Sequence, residues 1–592
     1  FIADCHSAAL VSTTGAIDWC CMPRIDSRSC FGRILDWENG GYCRIAPSGD
    51  FRTERSYIED TLVLQTVFRT AGGAMRLLDC FTMHEEGEHR PHQQILRIVE
   101  GLEGSVQCEV NIAPRFDYGA IKPWIRPYGE GGHIALGGSD GLLLSGDLAM
   151  DMAHRHDLIK TLKIQAGHRK RLSIIYHLPE NLDEGLVPAP DTQTLDARLD
   201  ETIDWWRTWS SKGHMLNFCG PQVRRSAIVL KGLTNAPTGA IAAAATTSLP
   251  ESWKGGRNWD YRFSWVRDST FAVRSLAELN HDKEADGFRR FIERSCAGDV
   301  EQLQILYGLG GERRLHELTI REMEGYRGLK PVRIGNAAEA QIQMDVYGEL
   351  LDLAWHWHKR GHAPDDDYWE FLAGIMAEVR ERWYQVDQGI WELRGPGRHF
   401  VHSKVMCWVA LDRGIRLAEE LGRPAPLASW RQSRDQARQW IETQGYDTSR
   451  GVFIQAAGHP KMDAALLLIP QVGFVAYDDP RMVRTVQAVR RDLEEDGLLR
   501  RYAAEDDGLE GREGVFLACS FWLAECLARQ GRIEDASAVF KRALGAGNDL
   551  GLFSEEYDTE RGEMMGNFPQ GLTHLSLISA AFALSEMQGK DG

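Results

Sequence analysis

Apolar and polar positions alternate with a period of two through the first 190 residues, and with a helical period through most of the rest. Thr61-Leu62-Val63-Leu64-Gln65-Thr66-Val67-Phe68, Gln93-Gln94-Ile95-Leu96-Arg97-Ile98-Val99, Val106-Gln107-Cys108-Glu109-Val110-Asn111-Ile112 and Lys160-Thr161-Leu162-Lys163-Ile164-Gln165 all fit strands. Ala8-Ala9-Leu10-Val11-Ser12 leads through Thr14-Gly15 into Ile17-Asp18-Trp19-Cys20-Cys21, a hairpin pattern. Gly, Pro and Asp separate these runs and no long helical pattern intervenes. That predicts an antiparallel β-sandwich over residues 1–190. The glycine-rich stretch 119–146 lacks the GxxxxGK[ST] pattern of a phosphate loop and reads as turns between strands.

The period changes at residue 191. Asp191 is a candidate N-cap, and Leu195, Leu199, Ile203 and Trp206 recur at helical spacing, so residues 191–215 read as a linker helix. Beyond it, over 216–592, helices are predicted near 221–233, 264–280, 284–297, 337–360, 366–385, 402–421, 427–443, 479–495, 511–530, 533–545 and 570–588. Glycine- and aromatic-rich loops fall between them, at 251–263, 307–335, 386–400, 446–461, 498–510 and 546–569. The alternation of helices and such loops predicts a toroid of paired helices, without the tight repeat of a solenoid.

Composition narrows the function. With 592 residues and 43% hydrophobic content the chain has room for more than one domain and for large cores. A net charge of −17 argues against a nucleic-acid binder, which needs a basic face. The 12 cysteines are scattered, with no CxxC, and read as buried free thiols rather than a metal or disulfide framework. No apolar run approaches the ~20 residues of a membrane span. The opening Phe-Ile-Ala-Asp carries no charged and no long apolar leader pattern, so cytoplasmic residence is the expectation.

The candidate chemistry lies in the loops. In Gly389-Ile390-Trp391-Glu392-Leu393-Arg394-Gly395 a glutamate stands between apolar residues, which raise a carboxyl pKa and suit a general acid. On its own, this segment also fits a surface glutamate beside a core tryptophan. A second carboxylate segment, Phe553-Ser554-Glu555-Glu556-Tyr557-Asp558, lies far downstream, and two carboxylates in aromatic surroundings are what glycoside hydrolysis needs. Residues 258–268 are dense in aromatic rings (Trp259, Tyr261, Phe263, Trp265), with Arg262, Arg267, Asp260 and Asp268 among them. A guanidinium beside a carboxylate can fork hydrogen bonds to adjacent sugar hydroxyls while rings cover the sugar's apolar face; the same cluster also fits an Arg–Asp pair at a helix start. Residues 326–336, with Tyr326 and Arg333, form a basic loop that fits a pocket wall or a cap on the next helix. Arg500-Arg501-Tyr502 precedes Glu505-Asp506-Asp507-Gly508, which lacks the full spacing of a calcium loop and reads as solvated charge. His399 and His402 have no third ligand in view and read as structural. No metal and no cofactor are expected.

Taken together, these segments resemble glycoside hydrolase family 15, the glucoamylase and bacterial-type trehalase family. The resemblance runs from residues 4–11, 17–19 and 23–27 through 258–268, 325–336 and 389–404 to 554–558 and 566–574, nearly the whole chain. It implies an N-terminal β-sandwich, a linker helix, an (α/α)6 barrel and inverting exo-hydrolysis of α-glucosides. It assigns Glu392 as the general acid and Glu555 as the base, with Glu556 standing where glucoamylases carry glutamine. Arg267 and Asp268 match the pair that holds the terminal glucose, and Arg501 matches an arginine on the same sugar. Trp259, Tyr261, Trp265, Tyr326, Arg333, Trp391 and His574 are the further candidate substrate contacts. Residues 395–404 and the Glu-Gly-Tyr-Arg-Gly loop at 324–328 look like the trehalase branch.

An α,α-trehalase is therefore the first expectation, ahead of a glucoamylase or isomaltose-type glucosidase, a phosphorylase on a related barrel, or an inactive sugar-binding protein. The expected partner is a small α-glucoside, not a nucleic acid or a membrane; the oligomeric state stays open. Inversion requires the two carboxyl groups about 6.5–9.5 Å apart, with Glu392 protonated, Glu555 ionised and Glu556 turned away.

Overall fold

The computed structural model describes residues 1–298, 300–503 and 511–589; the acidic run 505–508 considered as a calcium loop lies outside them. The N-terminal part is a single connected antiparallel sheet of 15 strands. Its spine is the 20-residue strand Gln94–Ala113. The first half of that strand pairs with Gly73–Phe81 and Arg169–His177, and the second half with Tyr42–Pro47 and Asp157–Gln165. Sequence alternation reads these halves as two strands because Gly101 and Gly104 look like a turn. They instead form a bend within one strand, where a Cβ at Gly101 would stand 2.0 Å from the Gln165 carbonyl oxygen. The bend lets one strand serve both halves of the sheet. Arg97 on this strand is fully buried with Asp79, at 2.7 Å, and its remaining donors go to the carbonyls of Cys43 and Gly15. A buried guanidinium is tolerated here because every side of it is paired.

Helix Thr192–Ser210 begins as its sequence suggests, with the Asp191 carboxylate accepting the Thr194 N–H at 2.7 Å. Leu195 and Leu199 pack on the sheet against Val63, Leu78, Cys80, Leu96 and Ile98. At the far end the Trp209 indole donates to Glu284 and stacks on His281, so one helix touches both parts of the chain.

Among the described residues, eleven α-helices follow. The helices Arg267–Glu278, Asp345–Lys359 and Val401–Leu421 pack in succession; next come the 3₁₀ segment Ala464–Leu468 and the helices Leu517–Arg529 and Gly571–Gln588. The last of these returns to pack on the first, so the contacts close into a ring of six segments. Buried residues run all round Val401–Leu421 and Leu517–Arg529, as expected of inner elements. Asp282–Cys296 and Pro480–Leu493 are amphipathic and cover the outside. The long apolar pattern read as one helix over 337–360 is broken: 3₁₀ segment Ala337–Ala340 ends near Gln341, and the helix proper starts at Asp345. No helix among the described residues is long and apolar enough to cross a membrane.

Candidate active site

Loops at one end of the ring line a cavity of about 270 Å³. One wall is the Glu392 loop. Gly389 and Glu392 both take a left-handed backbone, at φ 67 and 57, which turns the glutamate back into the pocket. A non-glycine residue in that conformation costs about 1–3 kcal/mol and persists where the surroundings over-determine it. Here they do. The Trp265 indole N–H donates to Glu392 Oε1 at 2.7 Å, and Arg267 Nη1 reaches both that oxygen, at 3.3 Å, and the Ile390 carbonyl, at 3.1 Å. Gln341 donates to the Glu392 backbone carbonyl at 3.2 Å. Trp391 stacks on Trp522, lies edge-on to Phe516 and donates its N–H to Asp463 at 2.8 Å. The helix Arg267–Glu278 starts at the arginine itself, so the ring element carries Arg267 to the pocket and Asp268, 2.9 Å from it, behind.

The other wall is Glu555, just before strand Glu556–Asp558. Its Oε1 faces the Gln570 amide at 3.4 Å, and its Oε2 is buried without a donor. Glu556, the neighbour on the opposite face of the strand, accepts the Gly514 N–H at 2.9 Å and does not line the pocket. Behind Glu555 lies a buried charge cluster. Arg501 reaches Glu513 at 2.6 Å, Glu251 at 3.2 Å and Glu556 at 3.7 Å. Arg257 pairs with Glu513. Glu251, Glu513 and Glu556 converge closely enough to suggest a metal site. The Arg501 guanidinium, bonded to two of them and beside the third, already supplies the positive charge.

The electrostatics differ from the expected order. Burial pushes the Glu392 carboxyl up, with Arg267 and the Trp265 N–H pulling it back. Burial pushes Glu555 well above the ordinary range, and the neighbouring Glu251 adds to it. Glu555 is thus not the less perturbed of the two. The reason is its complete burial, with a second buried carboxyl, Glu251, beside it. Glu513 goes the other way: burial is outweighed by Arg501 and Arg257, which hold it low.

Of the candidate contacts, Trp259, Tyr261, Trp265, Arg267, Trp391 and Arg501 line the pocket with both glutamates. Four stand apart. Asp268 sits behind Arg267. Arg333 donates to the carbonyls of Gly256 and Asn258, and its guanidinium lies 4.4 Å from the Trp259 ring, supporting that ring rather than facing the cavity. Tyr326 packs against Met323 and Val332, away from the pocket. His574 is fully buried beside Ser226 and Phe553. Residues not singled out in the sequence also line the pocket, among them Gln341, Arg394, Tyr502, Phe516 and Gln570. Arg394, 3.9 Å from the Trp259 ring centroid, stands two residues after Glu392, and Gln570 lies in the segment 566–574 that carries the family resemblance; Gln341 has no such signal.

Two convergent carboxyl groups, guanidinium donors and aromatic rings in one pocket suit acid–base chemistry on a hydroxyl-rich neutral ligand. The family model "Glycosyl hydrolases family 15" matches residues 221–582, and "Trehalase-like, N-terminal" matches residues 1–156. A trehalase of Mycobacterium tuberculosis is 38% identical over 98% of this chain and 88% of its own length. A trehalase of Thermoplasma volcanium is 34% identical over 99% of this chain and 93% of its own. A bacterial glucoamylase complexed with acarbose has the same fold, with a TM-score of 0.71 at 14% identity, covering 99% of this chain and 93% of that one.

Proposed function

The chain belongs to glycosyl hydrolases family 15, and on that premise we propose that it is an inverting, exo-acting α-glucoside hydrolase whose preferred substrate is α,α-trehalose. The observation that carries the reading is the meeting of two carboxyl groups, the half-buried Glu392 and the fully buried Glu555, in one pocket lined by Trp265, Arg267 and Arg501. In this reading the chain divides into a β-sandwich over 1–190, a linker helix over 191–215 and an (α/α)6 barrel over 216–592. The closed ring of six inner segments supports the barrel. Glu392, whose carboxyl burial pushes up against the pull of Arg267 and Trp265, gives its proton to the glycosidic oxygen as the bond to the anomeric carbon breaks. Glu555 takes a proton from a water that attacks the opposite face of the ring. Arg267, oriented by Asp268, and Arg501 hydrogen-bond the hydroxyls of the terminal glucose, and Trp259, Tyr261 and Trp391 supply apolar surface for its ring.

Trehalose hydrolysed with inversion releases one β-glucose from the attacked ring and one α-glucose from the leaving ring. An NMR time course should show both anomers rising together before mutarotation; α-glucose alone would overturn inversion. In parallel assays kcat/KM should be higher on trehalose than on maltose or isomaltose, and the reverse order would sink the substrate assignment.

Gly566 offers a test from the backbone. It sits at φ +77, and a Cβ there would stand 3.1 Å from both Cβ and Oε2 of Glu555. Gly566→Ala should displace that carboxyl, and a misplacement of about 1 Å costs on the order of 10²-fold in rate. We expect kcat/KM on trehalose to fall by about that factor with an unchanged far-UV spectrum; unaltered kinetics would place Glu555 outside the reaction.

A further inference from the structure

Glu251 is a carboxyl group that the mechanism above does not use. It follows strand Thr247–Pro250 and is completely buried, with no exposure to the pocket or to solvent. Its position is fixed from several sides. The backbone N–H donates to the Arg257 carbonyl at 2.9 Å, and the preceding carbonyl, of Pro250, accepts the Gly566 N–H at 2.9 Å. Oε1 faces the Tyr261 hydroxyl at 3.3 Å and Oε2 the Arg501 guanidinium at 3.2 Å. Gly566 is the common floor: a Cβ there would meet Glu555 Oε2 at 3.1 Å and Glu251 Cγ at 3.5 Å. The two buried carboxyl groups are therefore neighbours over the same glycine. Two carboxyls this close in a buried site cannot both ionise readily.

We propose that Glu251, held behind Glu555 by Arg501 and Tyr261, is a positioning residue whose carboxylate sets the strength of Glu555 as the base. The proposal rests on the reading of Glu555 as that base. Burial pushes both carboxyls up, but the Arg501 hydrogen bond goes to Glu251, so Glu555 holds a proton the more tightly and must lose it to solvent before it can act. Once it has left, Glu555 takes a proton from the attacking water, and the adjacent negative charge of Glu251 stabilises that transfer. The charged and titratable groups facing the pair from other elements are Arg257, Arg333, Arg501, Glu513, Glu556 and Tyr261. All but Arg333 and Tyr261 are tied into the ion-pair cluster around Arg501.

The test uses α-glucosyl fluoride in a Glu392→Gln background. Fluoride leaves without a proton from the enzyme, so the rate depends on the ionisation of Glu555 and not on that of the acid. The rate should fall as pH drops through the Glu555 pKa. Adding Glu251→Gln removes the like charge and leaves an amide that can donate to Glu555. The midpoint should then move at least about one unit lower, a tenfold change in proton affinity. Glu251→Asp, which keeps the charge, should bring the midpoint back toward its starting value. A midpoint that Glu251→Gln leaves in place, or raises, overturns the proposal. An infrared titration needs no turnover, so it separates this idea from the identity of the substrate. Because burial also pushes up Asp345, Glu349 and Glu556, the readout is the difference between wild type and variant: the wild type should show one more carboxyl protonated above about pH 6 than either variant. That signal should be lost in Glu555→Gln and in Glu251→Gln. If Glu251→Gln does not fold, the wild type and Glu555→Gln decide between them, and an equal carboxyl signal in the two overturns the proposal.

Discussion

Glu392→Gln should hydrolyse trehalose about 10²–10⁴-fold more slowly than the wild type while folding normally, the range that positioned proton donors contribute. The amide has the shape of the carboxyl but no proton to give to the leaving oxygen. Its carbonyl oxygen can still accept the Trp265 N–H and the Arg267 contact that hold the loop. The backbone strain at φ 57 is the same for either side chain, so the melting temperature is expected to stay near that of the wild type. Activated substrates, whose leaving groups depart without protonation, should lose far less. The measurement is kcat on trehalose beside α-glucosyl fluoride. Wild-type turnover of trehalose would remove Glu392 from the acid role, and an equal loss on both substrates would point to a disturbed pocket instead.

Glu555→Gln should produce a loss of similar size, about 10²–10⁴-fold, but without relief from a better leaving group. The water must be deprotonated whatever departs, so the fluoride and trehalose should suffer together. The neighbouring Glu556→Gln is the control. Its amide oxygen can go on accepting the Gly514 N–H, and it lies outside the pocket lining, so its effect should be far smaller. If Glu556→Gln proves the more damaging of the two, the base role passes to that residue.

Much of this arrangement was legible in the sequence because local chemistry and function coincide there. The Trp391-Glu392 segment and the aromatic cluster at 258–268 announced themselves by composition, and both reach the pocket. Other features were hidden for identifiable reasons. The 3₁₀ segment Ala464–Leu468 completes the inner ring, yet five apolar residues show no helical period. Glu251 opens the loop 251–263, but nothing beside it in sequence sets it apart, and it gains its importance only from Glu555, more than three hundred positions later. Glu513 is in the same case: nothing around it signals that two arginines converge on it. His574 illustrates the opposite failure. It lies in a motif shared with the family, but on a helix of the inner ring that turns it toward Ser226 and away from the mouth.

The closure of that ring has a consequence in time. The seam joins Arg267–Glu278 to Gly571–Gln588, elements from opposite ends of the helical part, and such distant pairing is slow to form. A chain emerging from the ribosome presents Glu392 long before Glu555 and the closing helix Gly571–Gln588. Until the final turns are released there is no second wall and no enclosed cavity. The Glu392 wall and the Glu555 wall thus face one another only after that long-range pairing is made.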